Sequence, residues 1–267
     1  MFTIGWFIVY KLPHLDRSAE AGMKYMYQDG SSEGWKAGVS LMNSTDSAVG
    51  RTVSQLYKFS QSQNVAYILY NDQPPHDTSN EVRGHTKGTQ LLYNTITPYD
   101  FSVPDCFSGD LPDLKNAAMR AEVTSPPWNR QVTLTSAGGK TFVSFSKHAR
   151  FGDDLYSGWV SEALKSDLCV QFWLNSRGIL QSNCSLAYHT YDALNLSFDP
   201  AVTFSSHKDH SKWCVTWSDS PGWACVGDMN RDKEETQRGG GTVCTQDTTV
   251  WKSFKTLVMD YSKCQES

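Results

Sequence analysis

The sequence predicts an α/β protein, layered and built from two similar halves. Two observations carry this prediction. Short apolar runs of strand character alternate with segments of helical periodicity in both parts of the chain. A His-x-Lys triplet also occurs once in each part, at residues 85–87 and again 125 positions later at 210–212. With 267 residues, the chain has room for one large or two small domains around a sizeable core.

Residues 4–12 are rich in aromatic and β-branched side chains, with Lys11 the only charge, and read as a buried strand. Residues 18–27 read as a short helix or a loop, with Tyr25, Tyr27 and Trp35 as core anchors. Residues 49–59 carry Val53, Leu56 and Tyr57 near helical spacing. NVAYILY (64–70) is a second buried strand, ended by the turn NDQPP (71–75). A polar loop with a solvated His76 follows, and Gly84 and Gly88 bracket the first triplet. Such glycines permit close approach of a ligand, or simply mark strand ends.

Residues 117–123 resume as a helix or a strand end, and SPPW (125–128) is a turn. Residues 131–136 and 141–146 flank Ala137-Gly-Gly139, which predicts a hairpin. Residues 151–165 form an amphipathic helix carrying Leu155, Trp159, Val160 and Leu164. Asp153 and Asp154 stand where acidic groups favour a helix N-terminus, with a site role for Asp154 the lesser alternative. LCVQFWL (168–174) is a buried strand, and residues 248–261 carry the i, i+3, i+4, i+7 stripe of a last helix. His148 and His189 have no motif around them and read as structural or exposed.

Composition narrows the function. A net charge of −4 and a pI near 6.0 exclude a protein that coats nucleic acid through bulk basicity. A protein with this balance that handles a polyanion needs a local cationic site. No apolar stretch approaches the length of a membrane span. The chain starts almost on its first strand, MFTIGWFIVYKL, with neither the basic start nor the cleavage site of a secretory signal. Six of the seven cysteines lie after position 168, which favours an oxidised second half, and the odd count leaves at least one thiol over. Sequons at Asn43, Asn183 and Asn195 lean the same way, towards secretion.

If both triplets lie on strands, His85 and Lys87 share one face, as do His210 and Lys212. Two imidazoles and two ammonium groups converging on one spot suit a phosphodiester. The lysines neutralise the non-bridging oxygens, one histidine attacks phosphorus, and the other protonates the leaving oxygen, without a metal. On spacing alone, chance recurrence is the better account of the pair. Three neighbouring features have two readings each. His207, His210, Cys214 and Cys225 suit zinc chemically, but their spacing is not that of a zinc knuckle. Arg238-Gly-Gly-Gly241 is either a phosphate-cradling loop or a tight connection. Trp213 either stacks a base or walls the site.

Longer strings change the weighting. LYNDQPP (69–75), RGHTKG (83–88), DHSKWCV (209–215), CVGDMNR (225–231) and RGGGTVC (238–244) resemble deoxyribonuclease II, a family of lysosomal acid endonucleases. WFIVYKLP (6–13), PPWN (126–129), FGDDLYSGW (151–159) and SNCS (182–185) fit the same family, in order, from about Trp6 to Cys264. The resemblance implies a phospholipase D-like fold of two pseudo-symmetric halves, residues 1–115 and 116–267, each giving one triplet to a shared cleft. It implies catalysis by His85, Lys87, His210 and Lys212, with Asn230 binding a phosphate oxygen. Trp217 stands where phospholipase D relatives carry an aspartate, so no such aspartate is carried over. It further implies Cys225–Cys244 and Cys184–Cys264 bridges, leaving Cys106, Cys169 and Cys214. The substrate implied is double-stranded DNA, cut through a phosphohistidine to 3′-phosphate ends with no cofactor or metal. A lysosomal glycoprotein is implied, with no membrane partner and a homodimer as the assembly left open. One departure stands out: after Gly88 the family's Gly-Phe-Trp strand and its His-Ser-x-Pro-Asn element are missing, and several dozen residues with them. The alternative to an active enzyme is therefore an inactive or non-catalytic isoform.

Overall fold

A computed structural model describes residues 5–59, 62–70, 90–107 and 109–264. His76, Gly84, Gly88, His85 and Lys87 lie outside the described residues, so the first triplet has no geometry to set beside the second. The strands are β1 (Phe7–Lys11), β2 (Tyr25–Asp29), β3 (Lys36–Ala37), β4 (Tyr67–Tyr70), β5 (Pro98–Ser102), β6 (Asn129–Thr135) and β7 (Thr141–Lys147). They continue as β8 (Leu168–Gln171), β9 (Thr190–Asp199), β10 (Val202–Ser205), β11 (Trp213–Thr216), β12 (Ala224–Gly227), β13 (Gly240–Thr245) and β14 (Val258–Ser262). The helices are α1 (Ala48–Phe59), α2 (Leu91–Asn94), α3 (Pro112–Ala118), α4 (Ser161–Leu164) and α5 (Thr248–Lys255).

Strands β6 to β14 form one mixed sheet, in the order β10-β9-β8-β11-β12-β13-β7-β6 with β14 also paired to β9. Among the described residues only β8 and β9 pair in parallel. Every residue of β8 and β11 is buried, because packed layers cover both faces of the sheet. Alternate side chains divide between two cores. On one face Val170, Cys214, Cys225 and Cys244 pack with Leu155, Tyr156 and Val160. On the other, Cys169, Trp213, Val215 and Ala224 pack with Tyr10 of β1 and with Val250 and Phe254 of α5. The mixed α/β class expected from the sequence is present, with smaller sheets β1-β2-β3 and β4-β5 in addition to the large mixed sheet.

The predicted hairpin forms as β6–β7, closed by the bond from Ser136 N to Lys140 O at 2.8 Å. Three expectations need correction. Residues 18–27 are neither helix nor loop throughout, because β2 begins at Tyr25 and pairs with β1. The segment 151–165 is not one amphipathic helix. It is a 3₁₀ turn, a π-helical turn at Tyr156–Val160 and the short α4. Asp154 caps the π turn, its Oδ2 accepting from Ser157 N and Oγ at 2.9 and 2.7 Å. The last helix stops at Lys255, and β14 then pairs with β9. Val250, Phe254 and Leu257 are buried as a helical stripe demands, but Val258 and Tyr261 belong to a strand. Over so short a window the two periodicities coincide.

Candidate functional site

Three elements meet at the second triplet. The first is the loop from Ser205 to Lys212. His210 and Lys212 stand in the extended residues just before β11 and not on the strand itself, a further correction. His210 is exposed and Lys212 buried, with Lys212 Nζ donating to the His210 carbonyl at 2.8 Å. The second element is the end of β8. Trp173 lies under His210, ring centroids 4.4 Å apart and 24° from parallel. Its Nε1 donates to His207 O at 3.1 Å, and Asn175 Nδ2 donates to the same oxygen at 2.9 Å. The third is the turn after β12. Asp228 Oδ1 accepts from Gly241 N at 2.7 Å, which fixes the turn and presents Asn230. Asn230 Oδ1 accepts from Trp173 N at 3.3 Å. The Asn230 Nδ2 group, a donor suited to a phosphate oxygen, has no hydrogen-bond partner among the described residues.

Trp173 therefore touches His210 and Asn230, two of the three residues singled out in this half, and no local sequence pattern marks it. Trp213, the tryptophan the sequence did single out, is buried and walls the site instead of facing a base. Its Nε1 donates to Tyr10 Oη at 3.2 Å. Tyr10 in turn donates to Asp209 Oδ2 at 2.6 Å, and Ser211 Oγ bonds both, at 2.9 Å to Tyr10 and 2.6 Å to Asp209. Burial and the adjacent Asp209 carboxylate hold the Tyr10 hydroxyl well above its ordinary pKa, so it stays a donor. This buried network fixes the loop that carries His210 and Lys212. A cavity of about 610 Å³ opens beside them, lined also by Lys11, His14 and Lys208.

The neighbouring features resolve as structure. Gly240 and Gly241 belong to β13, paired with Lys147 and Ser146, and a Cβ at Gly241 would run into the Phe145 carbonyl oxygen. Close backbone packing accounts for the glycine run. Cys225 and Cys244 face each other across β12 and β13 in a disulfide, and Cys184 is bridged to Cys264. Cys214 is buried in the core, so the zinc grouping of His207, His210, Cys214 and Cys225 does not assemble. Among the described residues Cys184, His189 and Cys264 come close enough to share an ion, but the two sulfurs are already bonded to each other. Trp217 packs edge-on against Tyr261 at 4.9 Å, so no carboxylate stands at that position.

Arg231, next to Asn230, is fully buried between two carboxylates. Its Nε donates to Asp154 Oδ2 at 3.2 Å and its Nη1 to Asp192 Oδ1. Burial opposes the guanidinium charge, yet the paired carboxylates raise its pKa above the ordinary arginine value. Burial pushes Asp192 up to about 6, against the pull of Arg231. A carboxyl whose folded pKa exceeds its unfolded value binds its proton more tightly when folded. Its favourable contribution is complete below about pH 4 and lost as pH rises through about 6. We expect stability measured by urea unfolding to fall between those pH values through this group. In Asp192→Asn that part of the slope should vanish; an unchanged slope contradicts the assignment.

A mixed α/β sheet carries histidine, lysine and asparagine near one another at its strand ends, side chains whose donors are of the kind that suit an anion. Comparison with known proteins makes the family explicit. Residues 3–92 and 88–264 match the family model for deoxyribonuclease II. The chain is 42% identical to deoxyribonuclease-2-alpha of Mus musculus, an alignment covering 98% of this chain and 91% of that protein. It is 32% identical to plancitoxin-1 of Acanthaster planci and 31% identical to deoxyribonuclease-2-beta of Homo sapiens, each over 98% of this chain and 90% of the relative. The chain belongs to the deoxyribonuclease II family. The mouse alignment extends over 325 positions against 267 residues here, so at least 58 of those positions have no residue in this chain. The family model breaks at 88–92, just after the first triplet, where the sequence had indicated a missing section.

Proposed function

We propose that this lineage cuts double-stranded DNA as an acid endonuclease, with His85, Lys87, His210, Lys212 and Asn230 as the working set. The observation that carries this reading is that Trp173 contacts both His210 and Asn230, with Lys212 Nζ bonded to the His210 carbonyl, in a chain of this family. One histidine attacks phosphorus and forms a phosphohistidine, while the other protonates the leaving 5′ oxygen. Water then releases a 3′-phosphate end. Lys212 and Lys87 neutralise the phosphate oxygens, and Asn230 Nδ2 donates to one of them. In this reading residues 1–115 and 116–267 are the two halves of a phospholipase D-like sandwich, and the protein is a lysosomal glycoprotein. The two disulfides support an oxidising route to that compartment.

The lysines and histidines do the electrostatic work that a metal does elsewhere, so nicking of supercoiled plasmid at pH 5 should persist in EDTA. Abolition by chelator sinks the mechanism. A second reading, an isoform of greatly reduced activity, is favoured by the break in the family match at 88–92. The same plasmid assay separates the two, because the isoform leaves the plasmid supercoiled with or without chelator.

A further inference from the structure

The cavity beside His210 has more positive charge than one phosphate needs. Lys11, Lys208 and Lys212 line it together with His14 and His210, and the carboxylate among the lining residues is Asp209. Asp209 is buried and its oxygens accept from Tyr10, Ser211 N and Ser211 Oγ, so it faces inward. In a chain of net charge −4 this is a local reversal of sign.

The geometry of the two outer lysines is fixed by the same network. Lys11 follows Tyr10 at the end of β1, and Lys208 precedes Asp209 in the loop. The Tyr10–Asp209 hydrogen bond at 2.6 Å therefore ties together the two backbones that carry them. Both side chains are exposed, and among the described residues neither makes an ion pair. Lys11 is also the single charge in the strand-forming run 4–12, where an apolar or β-branched residue would serve a strand better.

We propose that Lys11 and Lys208 form a second phosphate subsite, which holds the DNA backbone next to the phosphate at His210 and Lys212. The proposal rests on the nuclease reading for its substrate and adds the path of the strand across the surface. Neither lysine touches the reacting phosphate; they bind and position.

The test is binding, measured without turnover. In a His210→Ala background, fluorescence anisotropy of a labelled DNA duplex is followed at several salt concentrations. Lys11→Ala and Lys208→Ala should each weaken binding about fivefold or more at low salt. Each should also lower the slope of log K against log salt by ~0.9, the value for one released phosphate contact. Lys252→Ala, an exposed lysine on α5 away from the cavity, should change neither. Both target side chains are exposed, and an unchanged circular dichroism spectrum checks the fold. Slopes and affinities equal to those of Lys252→Ala overturn the subsite. No DNA binding by the parent chain overturns the subsite and the nuclease reading together. Lysine-dependent binding by a chain with His210 intact that never cuts the duplex keeps the subsite and sinks the hydrolase reading.

Discussion

Replacing His210 by alanine should lower the rate of plasmid cleavage by at least ~10³, with little change in melting temperature. General acid–base catalysis by one side chain contributes ~10²–10⁴, and loss of a covalent nucleophile removes the pathway altogether. The stability cost is small because the imidazole is exposed, with the Trp173 ring beneath it. Trp173 provides a graded comparison. Trp173→Ala removes the surface on which His210 rests and disturbs the loop held at His207 O, so kcat should fall ~10–100-fold with KM nearly unchanged. Trp173→Phe keeps a ring and should recover most of that loss. Cleavage by His210→Ala within tenfold of the parent would remove His210 from the chemistry.

Restoring the section that the relatives carry after residue 88 should raise cleavage by ~100-fold or more. Both histidines must lie within hydrogen-bond reach of one phosphate, and a misplacement of about 1 Å costs around a hundredfold. The second half needs no such help, since His210, Lys212 and Asn230 are tied to one another and to the sheet. The section absent at 88–92 adjoins His85 and Lys87 in sequence. A chimera carrying the mouse segment, compared with this chain in a supercoiled-plasmid assay, measures the effect directly. Equal rates refute it. His210→Ala in the chimera should abolish whatever the segment restores.

What the sequence made legible is local. His210, Lys212 and Asn230 lie within 21 consecutive residues, yet their types alone favour chance recurrence, and only the longer strings around them point to phosphate chemistry. The hairpin β6–β7 was readable from its turn residues, and the buried strand β8 from its mostly apolar run, although β8 ends at Gln171 and not at Leu174. What escaped is long-range. Trp173 looks like one more apolar residue in LCVQFWL, and only tertiary structure puts it under a histidine 37 positions later. Tyr10 and Asp209 are 199 positions apart, and no local pattern links them. Arg231 is an ordinary charge in CVGDMNR until Asp154 and Asp192 close around it. The glycine run stayed two-sided in the sequence, since a chain approach and a ligand approach leave the same mark, and the structure favours the chain approach.

The Tyr10–Asp209 bond also bears on the order of events during synthesis. Tyr10 leaves the ribosome 199 residues before the carboxylate that accepts its proton is made. At ~5–20 residues per second that is a wait of about 10–40 s. During that interval β1 can pair with β2, its neighbour in sequence, but the core around its tyrosine is incomplete until Trp213 and Val215 of β11 and Val250 and Phe254 of α5 are made. The wall of the cavity that β1 provides is thus completed late, when the chain from Asp209 to Trp213 docks against a strand made near the start.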